Sequence, residues 1–446
     1  MMPTFLTSLR LDSRLAEPLY RQIYLRIKDA IAQGNLAAGS RLPSVRGLAS
    51  DLGVARATVE SAYAQLIAEG FLQSRGQAGT YVSPQLPPMQ GAASAAPPLP
   101  AVAPDPLQPQ GMLQPFQLGV PALDAFPRAL WQRIVARQLR GSTVASLALP
   151  PAGGLSELHE AIAHYLHLSR GISCQPEQIF LCAGYPALLD WVVETLLHAG
   201  DAVWIEDPGY PVTRPLLRAA GVRPVAVPVD EQGMDVAAGI LTEPEARLAV
   251  VTPTHQSPLG VSLSLARRMA LLDWAQQRGA WILEDDYDSE FRYHGRPLPP
   301  LKSLDVQGRV LYAGTFSKTL FPALRMAYLV VPAGLTAAFA RSSRLRGCGY
   351  PPLLQASVAD FIRQGHFYRH LKRMRPLYRQ RPEWLTQALE RRLEAWQQGL
   401  AVQALSDWRI DSPAGQGLLL GFANFSRREE AERAVQGLAQ LFKHAN

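Results

Sequence analysis

Gly314-Thr315-Phe316-Ser317-Lys318-Thr319-Leu320-Phe321-Pro322-Ala323-Leu324-Arg325 is the stretch on which the reading of this chain turns. Its lysine follows an apolar strand candidate and sits in a run of hydroxyls. An arginine comes seven residues later. An amine that can form a Schiff base, with hydroxyls and a guanidinium to hold a phosphate, is what pyridoxal phosphate (PLP) requires.

Working outward, apolar strand candidates at 202–205, 248–252, 280–283, 309–312 and 326–331 alternate with helical candidates at 155–169, 187–198 and 266–278. The alternation predicts an α/β fold with a largely parallel sheet, whose ligands collect beyond the carboxyl ends of the strands. Polar clusters follow four of the strands. Glu206-Asp207-Pro208-Gly209-Tyr210 offers an aromatic face to a pyridine ring. Thr252-Pro253-Thr254-His255 places a histidine to bond a phenolic oxygen. Glu284-Asp285-Asp286-Tyr287 supplies a carboxylate for a protonated pyridine nitrogen and a tyrosine for the ring oxygen. Lys318 and its neighbours are the fourth cluster. Taken singly, an acid run is more often a solvated face, and a lone histidine or lysine a structural or surface residue. Four clusters at four strand ends converge on one crevice.

The chain has 446 residues, which suggests two or three domains at about 150 residues each. Hydrophobic residues make up 48%, enough for a large core and too many for a disordered protein. Cys174, Cys182 and Cys348 are too few and too irregular for a disulfide framework or a zinc site, and fit a reducing cytoplasm. No apolar run reaches about 18 residues, so no transmembrane helix is expected. A net charge of +7 permits nucleic-acid binding without requiring it.

The N-terminal part, 1–83, reads differently. Leu19, Ile23, Ile27 and Ile31 mark one face of a helix ending near Gly34. Val45, Leu48, Ala49 and Leu52 form a short second helix with Ser44 as N-cap. Gly53 makes the turn into a third helix, striped by Val59, Ala62, Tyr63, Leu66 and Ile67 and stopped by Gly70. A strand, a glycine-bearing turn and a second strand follow. Two helices around a tight turn form a helix-turn-helix, whose second helix would present Arg56 and Thr58 to base edges. Arg46 and Arg75 would reach phosphates or groove edges. Periodicity alone leaves a plain three-helix unit equally open. Residues 84–115 contain ten prolines and one charge, Asp105, and read as a semi-extended linker. The α/β domain occupies 116–446.

Gly39-x-Arg41-Leu42-Pro43-Ser44-x-Arg46, Leu52-Gly53-Val54-x-Arg56-x-Thr58-Val59 and Glu69-Gly70 resemble the GntR-type winged helix over nearly the whole N-terminal unit. The resemblance implies a dimeric regulator, with Arg46, Arg56, Thr58 and Arg75 at DNA-contact positions. Glu60 stands where some relatives carry a base. The later runs at 206–211, 255–260, 284–293 and 314–325 resemble fold-type I aminotransferases. The whole chain is similar to the MocR family, which fuses the two. By that resemblance Lys318 would carry PLP, Asp285 would pair with the pyridinium, and Tyr287 and His255 would contact the ring oxygen. Tyr210 would stack on the ring. Thr315, Ser317, Arg325 and the backbone amides around Gly184 would hold the phosphate.

Three features depart from the family pattern. Its phosphate turn, usually Ser-Gly-x-Gln, reads Ala183-Gly184-Tyr185-Pro186, which predicts weaker phosphate anchoring. The C-terminal small domain is short. Its last strand, Gly417-Leu418-Leu419-Leu420-Gly421-Phe422, has no arginine where transaminases clamp an α-carboxylate. The expectation is therefore a PLP-dependent regulator that binds operator DNA as a cytoplasmic homodimer and senses an amine, an amino acid or a B6 vitamer. The alternatives are an active aminotransferase with an accessory DNA-binding head, and a regulator that has lost its cofactor. Seven basic residues and no acid between Arg363 and Arg381 read first as a solvated helix face.

Overall fold

Ser44 opens the second helix as its side chain predicts: its Oγ accepts the Gly47 N–H at 3.0 Å. In this computed structural model the described residues are 11–12, 14, 17–85, 113–144, 146, 148, 151–291, 298–346, 350–391, 403–404, 408 and 418–443. The chain divides between Gln108 and Pro109 into two units. Most of the proposed linker falls outside the described residues.

The first unit holds α1 (Leu19–Ala32), α2 (Val45–Leu52), α3 (Arg56–Ala68) and an antiparallel hairpin of β1 (Leu72–Ser74) and β2 (Thr80–Val82). Ile23, Ile27, Leu48, Val59, Ala62, Leu66 and Val82 are fully buried together, so the apolar stripes of all three helices and the hairpin share one core. The Tyr63 hydroxyl donates to the Pro43 carbonyl at 3.0 Å and ties α3 to the start of α2. This is a helix-turn-helix with a wing.

The second unit begins with α4 (Arg128–Arg140) and α5 (Ser156–Arg170). Its sheet contains β3 (Ile179–Cys182), β4 (Ala202–Asp207), β5 (Arg223–Asp230), β6 (Gly233–Met234), β7 (Leu248–Val251), β8 (Trp281–Asp286), β9 (Val310–Thr315) and β10 (Ala327–Val330). The strand order is β3-β10-β9-β8-β7-β4-β5-β6. From β5 to β9 the neighbours are parallel. Central strands such as β4 and β7 are buried at every position, as a sheet covered on both faces requires. Val203 and Ile205 pack with Leu189 and Val192 of α6 (Tyr185–Leu196) on one face. On the other face Trp204 stacks on Trp274 at 3.9 Å.

β10 runs antiparallel to both its neighbours. Ala327 pairs with Cys182 on one side and with Thr315 on the other. The carboxyl ends of β3 and β9 therefore lie level, and the start of β10 lies beside them. This edge collects the turn at Gly184, Lys318 and Arg325.

β3 and β5 were not anticipated from the sequence. β5 contains Pro224 and Pro228, which argue against an interior strand; it is tolerated because its outer neighbour, β6, pairs with it only over Val229 and Asp230. The expected short C-terminal domain falls largely on residues 392–417, of which only 403–404 and 408 are described. Gln403–Ala404 pairs antiparallel with Leu418–Leu419. The helix Arg428–Lys443 packs Ala431 and Val435 against Phe116 and Leu385. No described helix is long and apolar enough to cross a membrane.

Candidate functional site

The cleft at the carboxyl edge of the sheet is built from strand ends, so each of its side chains is held by a buried ladder. β9 delivers Lys318, whose Nζ donates to the Gly119 carbonyl at 2.7 Å. Burial pushes the pKa of this amine down, while Asp288 and Asp285 pull it back up. A lowered amine pKa leaves more of the free-base nucleophile at neutral pH. β8 delivers Asp285, open to the cleft on one side and otherwise enclosed by protein. Burial, followed by the neighbouring carboxylates Asp286, Glu206 and Asp288, pushes its pKa up to about 8. A cation placed against Asp285 would relieve that cost.

Tyr287 and His255 meet at the same edge. Their rings are near-parallel with centroids 6.0 Å apart, and the tyrosine hydroxyl lies 3.4 Å from His255 Nδ1. His255 Nδ1 is also 2.7 Å from Asp288 Oδ2, which fixes the imidazole's orientation. Tyr210 lines a cavity of about 160 Å³ together with Tyr185, Glu206, Arg214, Asp285 and Trp408. Its ring packs edge-on to Tyr185, with centroids 5.7 Å apart. Tyr185 and Trp408 were not singled out for their side chains in the sequence. Nothing local marks either one, because the fold brings them together from separate segments.

The phosphate side fits PLP. Gly184 caps α6 with φ +93°, and a Cβ there would come within 3.3 Å of Arg325 Nη2. The missing side chain makes room for the guanidinium at the helix N-terminus. That guanidinium makes one hydrogen bond among the described residues, Nη2 to the Ala183 carbonyl at 3.1 Å, so donors remain for an anion. Pro186 occupies the first turn of α6, which costs the helix no internal hydrogen bond but leaves its N-terminus one N–H fewer for an anion. Thr315 Oγ1 accepts the Ser317 N–H at 3.1 Å and shapes the turn before Lys318. Lys318, Asp285, Tyr287, His255, Tyr210, Thr315, Ser317, Arg325 and Gly184 all lie along this one edge.

Behind Asp285 is a buried polar cluster that the sequence did not signal. Arg170, at the end of α5, reaches Asp286 at 3.2 Å and Glu290 at 3.1 Å. The hydroxyls of Tyr312 and Tyr165 donate to Asp286 and Glu290 at 2.6 and 2.5 Å. Asp285 and Asp286 thus point to different partners from adjacent positions on β8. The basic run is also partly structural: Arg381 is buried and pairs with Asp124 at 2.6 Å, and Arg375 donates to the Glu290 carbonyl.

In the first unit Arg46, Arg56 and Arg75 are exposed and Thr58 is half-buried in the first turn of α3. Arg75 lies over the Tyr81 ring at 4.8 Å, which steadies it on the wing. Arg56 Nη2 lies 3.7 Å from Glu60, with side chains 70% and 59% exposed. A pair so open to water is worth little and can be exchanged for a phosphate.

Residues 19–82 match the family described as bacterial regulatory proteins, gntR family, and residues 119–411 match aminotransferase class I and II. The probable rhizopine catabolism regulatory protein MocR of Rhizobium meliloti is 38% identical across 96% of this chain and 86% of its own length. The chain belongs to the MocR family. This MocR-type chain is also 34% identical to the pyridoxine biosynthesis transcriptional regulator PdxR of Corynebacterium glutamicum, over 81% of the chain and 76% of the relative. Among solved structures it resembles LysN, the α-aminoadipate aminotransferase of Thermus thermophilus, captured with N-(5'-phosphopyridoxyl)-L-leucine. The TM-score is 0.64 at 25% identity, covering 74% of this chain and 92% of that one. The second unit of the MocR-type chain is therefore a fold-type I, PLP-dependent aminotransferase fold, and the first is a GntR-type winged helix.

Proposed function

We propose that this chain is a transcriptional regulator that binds operator DNA through its winged helix as a cytoplasmic homodimer and senses a small amine through PLP held at Lys318. The observation that carries the reading is the joint presence of a Lys318–Asp285–Arg325 cleft in one unit and exposed arginines on a helix-turn-helix in the other. PLP, when bound, supplies a reactive carbonyl and an electron-withdrawing ring. Lys318 would supply the attaching amine, Asp285 would face the pyridine nitrogen, and Arg325 with the α6 N-terminus would hold the phosphate. Tyr210 would cover one face of the ring. Tyr287 and His255 would orient the phenolic oxygen. Residues 84–115 link the two units, and a ligand that favours one state of the cleft would shift DNA binding through them.

The test pairs two measurements on purified full-length protein. PLP should give a visible absorption band that Lys318→Ala abolishes. Binding to DNA from upstream of the protein's own gene should change when an amine alters that band. A band that survives Lys318→Ala, or DNA binding indifferent to every amine, sinks the reading. An active aminotransferase is the second reading, favoured by the complete lysine, aspartate and arginine set. Multiple turnover with an amino donor and a keto acid would establish it. The absence of an arginine from the sequence at 417–422 argues for sensing over turnover.

A further inference from the structure

Lys318 sits in a single turn, closed by the Leu320 N–H donating to the Phe316 carbonyl at 2.8 Å. Before the lysine, the turn is tied back to the sheet through Ser317 N–H to Thr315 Oγ1 and Phe316 N–H to the Met326 carbonyl. After it, Thr319 is held by His370, buried on the long helix His366–Arg391. His370 Nε2 lies 2.9 Å from the Thr319 carbonyl. A carbonyl only accepts, so Nε2 carries the proton and Nδ1 is the bare nitrogen. Nδ1 is buried without a partner among the described residues. The ring packs edge-on to Phe126 and Phe361, with centroids 5.8 and 6.4 Å away. A phenyl ring would suit those neighbours and orphan no nitrogen; what it lacks is the N–H. The same helix also steadies the other partner of the amine. Lys318 Nζ donates to the Gly119 carbonyl, and just beyond Gly119 the Ala122 N–H donates to Tyr378 Oη at 2.9 Å, while Asp124 pairs with Arg381 at 2.6 Å.

We infer that His370 is a positioning residue for Lys318: its Nε2–H fixes the turn so that the amine is aimed at an aldehyde in the cleft. This rests on the reading of Lys318 as the point where PLP attaches. Capture joins Nζ to the aldehyde carbon and releases water, and it depends steeply on where the amine stands. Burial holds the His370 pKa down to about 4, with the Thr319 carbonyl opposing and Arg373 assisting. At neutral pH the imidazole is therefore uncharged and acts through its hydrogen bond alone.

The test uses cofactor-free full-length protein and two probes, PLP and pyridoxine 5'-phosphate. The second carries an alcohol in place of the aldehyde, so it reports the ring and phosphate contacts without capture by the lysine. Affinity for each is measured by calorimetry, and PLP also by its visible band. His370→Leu should weaken PLP by roughly 5- to 30-fold while leaving pyridoxine 5'-phosphate within about twofold of wild type. His370→Gln, whose amide nitrogen reaches the place of Nε2, should recover most of the PLP affinity. If the leucine protein fails to fold, His370→Asn replaces it, because its shorter amide puts the donor near the place of Nδ1, away from Thr319. Equal losses for both probes mean general damage to the cleft and overturn the inference. So does a leucine variant that binds PLP like wild type, or a glutamine variant that does no better than leucine or asparagine. Each of those outcomes leaves the sensor reading standing. A wild type with no visible band, or one whose PLP affinity is unchanged by Lys318→Ala, overturns both.

Discussion

Gly119 and Lys318 meet across 199 residues of sequence, the glycine carbonyl accepting the lysine Nζ proton at 2.7 Å. Gly119 has φ +77°, and a Cβ there would come within 2.7 Å of that same Nζ. The far end of a lysine yields easily, so Gly119→Ala should displace the amine more than it disturbs the fold. The expected outcome is a PLP affinity lower by about tenfold, with a stability loss near 1 kcal/mol from the left-handed backbone. Titration of the visible band and chemical denaturation check the two parts.

Glu60 should act as a brake on the recognition helix. Arg56→Ala should weaken specific operator binding by about 1–3 kcal/mol. Glu60→Gln frees Arg56 from its exposed pair and should tighten binding a few-fold, more so at low salt. Fluorescence anisotropy across a salt series measures both; a Glu60→Gln variant that binds no better than wild type argues against Arg56 as a contact.

The buried carboxylates set a pH dependence. Burial raises Glu206 and Glu284 to about 7 and Asp285 to about 8, against about 4 for such groups in an unfolded chain. Between those limits the folded protein holds more protons than the unfolded one, so its stability falls as pH rises from about 4 to 8. PLP-free protein should melt several degrees lower at pH 8.5 than at pH 6. Glu284→Gln, outside the cleft, should flatten that slope, as thermal scans across the pH range will show.

Arg170→Met should be severe. It removes the cation from Asp286 and Glu290 and leaves two carboxylates facing each other in the interior. Breaking a buried pair by deleting one partner costs about 3–5 kcal/mol. Urea denaturation of the cofactor-free protein should show a loss of that order. A loss under about 1 kcal/mol means the cluster is better hydrated than its packing indicates.

The cleft was legible because its chemistry rides on short motifs. Asp285, Tyr287, His255, Tyr210 and Lys318 each follow an apolar run, and a parallel sheet brings such positions to one edge by construction. The head was legible for a related reason: its helices carry clean stripes, and Ser44 and Gly53 punctuate them. What escaped notice depends on long-range packing. Gly119, Arg170 and Trp408 carry no local signal, because their partners lie far along the chain. Strand β5 was hidden by Pro224 and Pro228, which only its place beside a two-residue neighbour makes tolerable. The basic run from Arg363 to Arg381 is a solvated face at six of its seven basic positions, as its charge suggested; Arg381 departs from that reading, buried against Asp124.

β10 works as a ruler. Because Ala327 is shared by Cys182 and Thr315, it sets the distance between the two halves of the cleft, one ending at Gly184 and the other at Lys318. A slip of two residues along either ladder would move one half past the other by about 7 Å, more than the length of a phosphate group. Four buried residues behind the cleft thus set its calibration, and their spacing shapes it as much as any side chain that lines it.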